Sequence, residues 1–167
     1  MENEAREYAI RAHGTQMYGD HPYSIHLDAV ATFAKPYGDI ATTIAYLHDV
    51  VEDTYISEQD IRKKFGALVA ECVSILSDSP GATRKERKAK TYKKMRSVSG
   101  DVELALTVKV CDRLANVLAC KADGKTSLLN VYRAEHKTFR GSAFRAGRCD
   151  ELWKRLDEEL LQFISGE

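Results

Sequence analysis

Apolar residues recur along most of the chain at the three- and four-residue spacing of an amphipathic α-helix. Two segments show the spacing clearly, with stripes at Leu68, Cys72, Ile75 and Leu76, and at Leu152, Leu156, Leu160 and Ile164. Strict alternation of apolar and polar residues, which is typical of strands, does not persist over many residues in any segment. The pattern therefore predicts an all-α fold, and we assign these stripes to the core.

The predicted helices are separated by short connections, and each of the three prolines lies where the helical periodicity breaks. We place them at roughly 3–13, 24–36, 38–52, 57–64, 66–78, 83–97, 101–121, 126–144 and 149–164. Ser57 and Asp60 form a loose capping box at the start of one of them. Irregular segments at 13–22, 77–83 and 122–126 are the expected loops. Because the connections are short, we expect one compact multi-helix domain over 1–167.

The charge balance gives no sign of a polyanionic partner. The chain has 25 basic and 25 acidic residues, and 44% of its residues are apolar. A neutral chain has no overall field to attract nucleic acid or an anionic membrane, so we expect neither as a partner. The N-terminal residues lack the features of a signal peptide, and the four cysteines form no CxxC pair. These features predict a cytoplasmic protein with reduced thiols.

The first candidate for chemistry is a group of polar residues at the end of an apolar helix, in the sequence IATTIAYLHDVVED. His48 and Asp49 are adjacent. Glu52 follows His48 by four residues and Asp53 follows Asp49 by four, so each carboxylate shares a helix face with its partner. Burying such charges is costly unless something compensates for them, and a divalent cation is an efficient compensator. The pattern predicts two metal ligands and two nearby carboxylates that orient a water or hold a proton.

Two other apolar helices are interrupted by possible ligands in the same way. His26 lies near the start of one, and Asp112 lies in the other, with Asn116 four residues later. Taken singly, His26 could be a core histidine, and Asp112 could pair with Arg113. Taken together with His48 and Asp49, they predict a mixed nitrogen and oxygen site that suits Mn²⁺, Fe²⁺, Zn²⁺ or Mg²⁺.

A strongly basic segment precedes the Asp112 helix. Arg84–Arg96 contains eight basic residues and one glutamate. Such a segment is usually a solvated helix face, but here it could also line the cleft and bind the phosphates of a substrate. Three further histidines, His13, His21 and His136, have no comparable setting, and we expect them on the surface or in a substrate loop.

These residues resemble a known family. His26, His48-Asp49 and Asp112 form the H…HD…D signature of HD-domain phosphohydrolases. The segments LHDVVEDT and KVCDRLANV are more specifically similar to the hydrolase domain of RelA/SpoT-type enzymes, and the chain length is similar to that of the small alarmone hydrolases. The resemblance is strongest over 5–120, whereas the helices of 121–167 match it only loosely.

The resemblance implies an all-helical, Mn²⁺-dependent enzyme that removes the 3′-diphosphate of ppGpp and releases pyrophosphate. The metal would be bound by His26, His48, Asp49 and Asp112. Glu52 and Asp53 would be the catalytic residues that activate or position the water. The small-molecule nucleotide substrate would contact Tyr18, Tyr23, Lys109, Arg113 and Asn116.

One position departs from the family pattern. Met17 replaces an arginine that often packs on the nucleotide base in the family, and we expect Tyr18 to stack on a base instead. The related alarmone ppApp therefore stays open as a substrate.

Two alternative functions are compatible with the same fold: an HD-type nucleotidase or phosphodiesterase, and a non-catalytic nucleotide sensor. A helical scaffold without metal is a third, and the sequence leaves the oligomeric state open.

Overall fold

The structure is a computed structural model, and it describes residues 1–161. Within this range the chain folds into ten α-helices and one two-stranded hairpin, so the all-α prediction is confirmed. The helices are α1 Glu2–His13, α2 Ser24–Ala34, α3 Asp39–Leu47, α4 Val50–Asp53, α5 Glu58–Phe65, α6 Ala67–Leu76, α7 Arg84–Arg96, α8 Leu104–Ala122, α9 Thr126–Ala143 and α10 Asp150–Leu161. Short 3₁₀ turns lie at Lys35–Tyr37 and Gly100–Glu103.

The long helix α8 lies at the centre of the fold. It packs against α2, α3, α6, α9 and α10, and its apolar side chains are buried on nearly every face. Such a helix must be apolar all round unless its polar residues find partners. The buried polar residues Lys109, Asp112 and Arg113 on α8 therefore mark positions where the fold supplies those partners.

The predicted helix over 38–52 was wrong at one point, because the structure divides it into α3 and α4 at His48 and Asp49. In an uninterrupted helix the carbonyl of Ala45 accepts the N–H of Asp49. Here Nδ1 of His48 lies 2.7 Å from that carbonyl, and Asp49 adopts φ −103° and ψ −3°. A side-chain contact has altered the last turn and reoriented the residues that follow.

Other helix ends agree with the sequence to within a few residues. The capping box at α5 is confirmed, with the backbone of Asp60 donating to Ser57 and the backbone of Ser57 donating to Asp60. The second helix ends at Ala34, because Pro36 is incompatible with a continued α-helix and a 3₁₀ turn follows. The predicted end of the last helix, including Ile164, lies outside the described residues.

The hairpin falls in the segment that was predicted only as a loop. Strand β1 (Met17–Tyr18) pairs antiparallel with strand β2 (His21–Pro22) across the turn Gly19–Asp20. Gly19 has φ +60°, which suits glycine in a two-residue hairpin turn. Strands this short leave no periodic signal in a sequence, so the pattern could not reveal them.

Across residues 1–161, none of the helices combines the length and the apolar character that a bilayer crossing requires.

Candidate metal centre

The predicted ligands come from three places in the chain and converge beside the middle of α8. His26 lies in the first turn of α2, His48 and Asp49 lie at the break between α3 and α4, and Asp112 lies in the middle of α8. The histidines are buried, with 3% and 1% of their surface exposed, and Asp112 is 8% exposed. The packing of α2, α3 and α8 against one another brings these side chains together.

The distances between the donor atoms fit a shared ion. Nε2 of His26 lies 3.3 Å from Nε2 of His48 and 3.3 Å from Oδ1 of Asp112. Nε2 of His48 lies 2.9 Å from Oδ2 of Asp49 and 3.6 Å from Oδ1 of Asp112. Ligand atoms at right angles around a small divalent ion stand about 3 Å apart. The donors therefore fit a divalent metal ion without large rearrangement, and His26, His48 and Asp49 alone form a potential metal-binding group.

Outer contacts hold the candidate ligands in this orientation. The Nδ1 contact of His48 with the Ala45 carbonyl favours a proton on Nδ1, which leaves Nε2 free to bind a metal. The Tyr23 hydroxyl donates to Oδ2 of Asp49. The Asn116 amide donates to Oδ1 of Asp112 at 2.6 Å. Such outer hydrogen-bond partners keep the side chains of metal ligands in the orientation that binding requires.

Charges around the centre balance one another. Burial would lower the pKa of His48, but the Asp49 and Asp112 carboxylates outweigh it and raise that pKa well above its ordinary value. Burial would raise the pKa of Asp112, but Lys109 and the two histidines hold it well below the usual range. Nζ of Lys109 lies 3.4 Å from Oδ2 of Asp112. In the metal-free chain the carboxylates are thus kept ionised, which is the form that binds a metal, and the raised pKa of His48 means that a metal would displace a proton from its Nε2.

The two predicted catalytic carboxylates have different partners at the rim of the centre. Glu52 accepts the backbone N–H of Asp78 at 2.7 Å, and Asp53 accepts from the Gln16 amide at 2.9 Å. Burial raises the pKa of Glu52 above that of an ordinary glutamate, although the Asp78 N–H opposes the shift. Each carboxylate is therefore fixed on one side and keeps further lone pairs for a water.

Sequence reasoning missed His13 and Gln16. Nδ1 of His13 lies 2.8 Å from Oε1 of Gln16, and the His13 ring stacks on Tyr23 at 4.4 Å. His13 is not on the surface, one of the two positions expected for it, because only 7% of it is exposed. Both residues connect the first loop to the carboxylates of the centre. No local pattern marked them, since the contacts depend on how that loop folds back.

The residues predicted to bind substrate are held in different ways. Tyr18 stacks on the His26 ring and donates to Oδ1 of Asn116, so both lie beside the centre. The Arg113 guanidinium, in contrast, donates to the Tyr92 hydroxyl and to Glu135, each at 3.1 Å. Its donors are engaged within the protein, and its role toward a substrate stays a prediction.

The basic helix α7 is attached to the loop that follows α6. Nζ of Lys88 lies 2.8 Å from Oδ2 of Asp78, and Nζ of Lys94 donates to the carbonyls of Ser74 and Ser77. Asp78 also supplies the N–H that holds Glu52. These lysines therefore fix the loop beside the candidate catalytic carboxylate. Four other basic residues of α7 are exposed, namely Lys85, Lys90, Lys93 and Arg96.

The fold and the His-Asp centre together define the class of protein. A family model described as the HD domain matches residues 5–147, and the chain belongs to this family. The family and the donor set indicate a divalent metal ion at the centre.

Curated relatives are similar to this protein over most of the chain. The "GTP pyrophosphokinase rsh" of Brucella ovis is 29% identical over 98% of the chain. A "guanosine-3′,5′-bis(diphosphate) 3′-pyrophosphohydrolase" of Aquifex aeolicus is 33% identical over 68% of it, and a probable one of Synechocystis is 31% identical over 90%. The chain spans only 22%, 17% and 20% of these three proteins, respectively.

Solved structures resemble most of the chain. A metazoan ortholog of SpoT, which hydrolyzes ppGpp, superimposes with a TM-score of 0.77 at 25% identity. That match covers 96% of this chain and 94% of the ortholog, so the two have similar extents. A Listeria monocytogenes protein, lmo0812, has a TM-score of 0.64 at 21% identity and supports the fold alone.

Proposed function

We propose that this chain is a metal-dependent phosphohydrolase that removes the 3′-diphosphate of ppGpp or ppApp and releases pyrophosphate. The single observation that carries the proposal is the convergence of His26, His48, Asp49 and Asp112, whose paired donor atoms lie 2.9–3.8 Å apart. The names of the hydrolase relatives, and the ppGpp hydrolysis of the metazoan ortholog, support the choice of substrate.

The four donors would hold one divalent ion, for which Mn²⁺ is our proposal. When bound, such an ion supplies Lewis-acid chemistry, which makes water a better nucleophile at neutral pH and offsets phosphoryl charge. The chain provides two nitrogen and two oxygen donors, a set that Mn²⁺ accepts readily. Four protein ligands leave room in an octahedral shell for water and for a phosphate oxygen of the substrate.

Glu52 or Asp53 would receive the proton of the attacking water. Each is fixed by one hydrogen bond, from the Asp78 N–H and the Gln16 amide respectively. Lys109 is 6% exposed and lies beside Asp112, where its charge would help to stabilise the developing negative charge on the phosphate. Tyr18, Tyr23, Arg113 and Asn116 complete the proposed contacts with the nucleotide.

An Asp49→Ala variant tests the centre. It removes one ligand and leaves the buried histidines in place, so we expect loss of Mn²⁺ binding and of detectable turnover. Metal content should be measured by elemental analysis after Mn²⁺ loading, and turnover by pyrophosphate release from ppGpp. Asp39→Ala is a matched control, because Asp39 is an exposed aspartate at the start of α3. Hydrolysis of ppGpp by Asp49→Ala at the rate of the unmodified chain would show that the site is wrongly assigned.

A nucleotide panel tests the substrate. We expect the Mn²⁺-loaded chain to release pyrophosphate from ppGpp or ppApp in preference to orthophosphate from nucleoside monophosphates. Orthophosphate release would favour a nucleotidase, and opening of a cyclic nucleotide would favour a phosphodiesterase. Tight nucleotide binding without turnover in Mn²⁺, Zn²⁺ or Mg²⁺ would favour a sensor.

A further inference from the structure

Tyr18 is the hairpin residue that reaches the metal centre. Side chains alternate between the two faces of a strand, so the neighbouring residues of β1 point to opposite sides. Met17 is 54% exposed, whereas the Tyr18 ring lies against the His26 imidazole, with 4.6 Å between the ring centroids and 11° between the planes. This contact covers one face of a candidate ligand and limits the access of water to it.

The Tyr18 hydroxyl begins a chain of hydrogen bonds that ends on a metal ligand. It donates to Oδ1 of Asn116 at 2.6 Å, and Nδ2 of Asn116 donates to Oδ1 of Asp112, also at 2.6 Å. The same amide donates to the backbone carbonyl of Asp112 at 3.0 Å. The hydrogen bonds thus connect the hairpin to α8, where Asn116 and Asp112 lie one helical turn apart.

The hydroxyl fixes which way the Asn116 amide faces. A rotated amide would aim its oxygen at the Asp112 carboxylate, which is repulsive, and its NH₂ group at the phenol oxygen. By donating to the amide oxygen, Tyr18 stabilises the orientation in which the NH₂ group faces Asp112. That carboxylate oxygen is the one that lies 3.3 Å from Nε2 of His26 and 3.6 Å from Nε2 of His48.

We propose that Tyr18 is a positioning residue of the metal centre, which orients Asp112 through Asn116 and shields His26 through its ring. The inference rests on the proposed assignment of His26 and Asp112 as ligands. It gives Tyr18 a task inside the protein that is separate from the nucleotide contact proposed above. Outer partners of metal ligands typically change metal affinity by about 10- to 100-fold when they are removed.

Calorimetric titration of the metal-free chain with Mn²⁺ alone measures its Mn²⁺ affinity and tests this role. We expect Tyr18→Phe to weaken Mn²⁺ binding by about tenfold and Asn116→Ala to weaken it at least as much. Because the two residues act in series, Tyr18→Phe should have little further effect in the Asn116→Ala background. Tyr55→Phe is the matched control, since Tyr55 is 83% exposed, and should bind Mn²⁺ as the unmodified chain does.

The outcomes separate this inference from the proposed function. Unchanged Mn²⁺ affinity in Tyr18→Phe, or additive losses in the double variant, would overturn the positioning role and leave the metal centre standing. No Mn²⁺ binding by the unmodified chain would overturn both. Thermal unfolding of the metal-free variants checks that Tyr18→Phe keeps the fold, and a rise in KM for ppGpp with unchanged Mn²⁺ affinity would return Tyr18 to substrate binding.

Discussion

At the residue scale, the centre consists of side chains whose type was evident from the sequence and whose partners were not. His48, Asp49 and Asp112 could be recognised in the sequence because they are titratable residues within apolar helices, where a buried charge needs compensation. Asn116 contacts Asp112 across the four-residue spacing that a helix predicts, whereas Tyr23 lies 26 residues before Asp49, a separation that no local pattern encodes. Ligand identity therefore followed from residue chemistry, whereas ligand geometry required the fold.

The roles of the two rim carboxylates can be separated by one substitution. Glu52→Gln keeps the shape of the side chain and removes its capacity to take a proton. We expect kcat to fall about 100-fold or more, with Mn²⁺ affinity retained, because general base catalysis is worth that factor. Steady-state kinetics with ppGpp and Mn²⁺ titration measure the two effects.

The control for this prediction is Glu71→Gln, which changes a glutamate on α6 whose side chain is 50% exposed. It should leave both kcat and Mn²⁺ affinity as they are. If Glu52→Gln also keeps kcat, the proton is taken by another group, and Asp53 is then the residue to test, with Gln16 as its hydrogen-bond partner.

At the element scale, periodicity located the helices but not the break between α3 and α4. His48 and Asp49 are weak helix formers, but such residues are common within helices, and at the break the His48 side chain contacts the Ala45 carbonyl in competition with the helix backbone. The hairpin was missed because two-residue strands have no measurable alternation. Both irregularities carry site residues, and they are the places where tertiary contacts override local preference.

Three helices are tied together by Glu135 on α9. Its carboxylate accepts from Arg84 on α7 and from Arg113 on α8, and the Arg113 guanidinium also lies over the rings of Tyr132 and Phe139. Arg113 is only 4% exposed, so it depends on this partner. The polar network on this side of α8 thus fixes α7 and α9 relative to the centre.

Removing Glu135 should therefore destabilise the fold. We expect Glu135→Ala to lower the free energy of unfolding by about 3 kcal/mol, because a buried guanidinium loses its countercharge. Urea unfolding of the metal-free protein measures it. Glu158→Ala, at an exposed position on α10, should change the stability by less than about 0.5 kcal/mol. Equal effects of the two substitutions would contradict a structural role for the ion pair.

At the scale of the whole molecule, the metal centre joins parts of the chain that are distant in sequence. Its candidate ligands link α2, the break after α3, and α8, and these helices pack together in the core. A ligand that binds the folded state and not the unfolded state stabilises the protein by mass action. Metal binding should accordingly be visible in the stability of the entire fold, independently of any catalysis.

Thermal unfolding should show this linkage. At a free Mn²⁺ concentration about 100 times the dissociation constant, the gain is about 2.7 kcal/mol. For a chain of this size that corresponds to a rise in Tm of about 5–10 °C over the chelator-treated protein.

Two variants test whether the rise comes from the proposed ligands. Asp112→Asn removes a ligand charge at nearly constant volume, so its Tm should no longer rise with Mn²⁺. Asp101→Asn, in the exposed turn before α8, should keep the full rise. A Tm that responds equally to Mn²⁺ in both variants would mean that the ion binds elsewhere, because only one of the two substitutions alters the proposed ligand set.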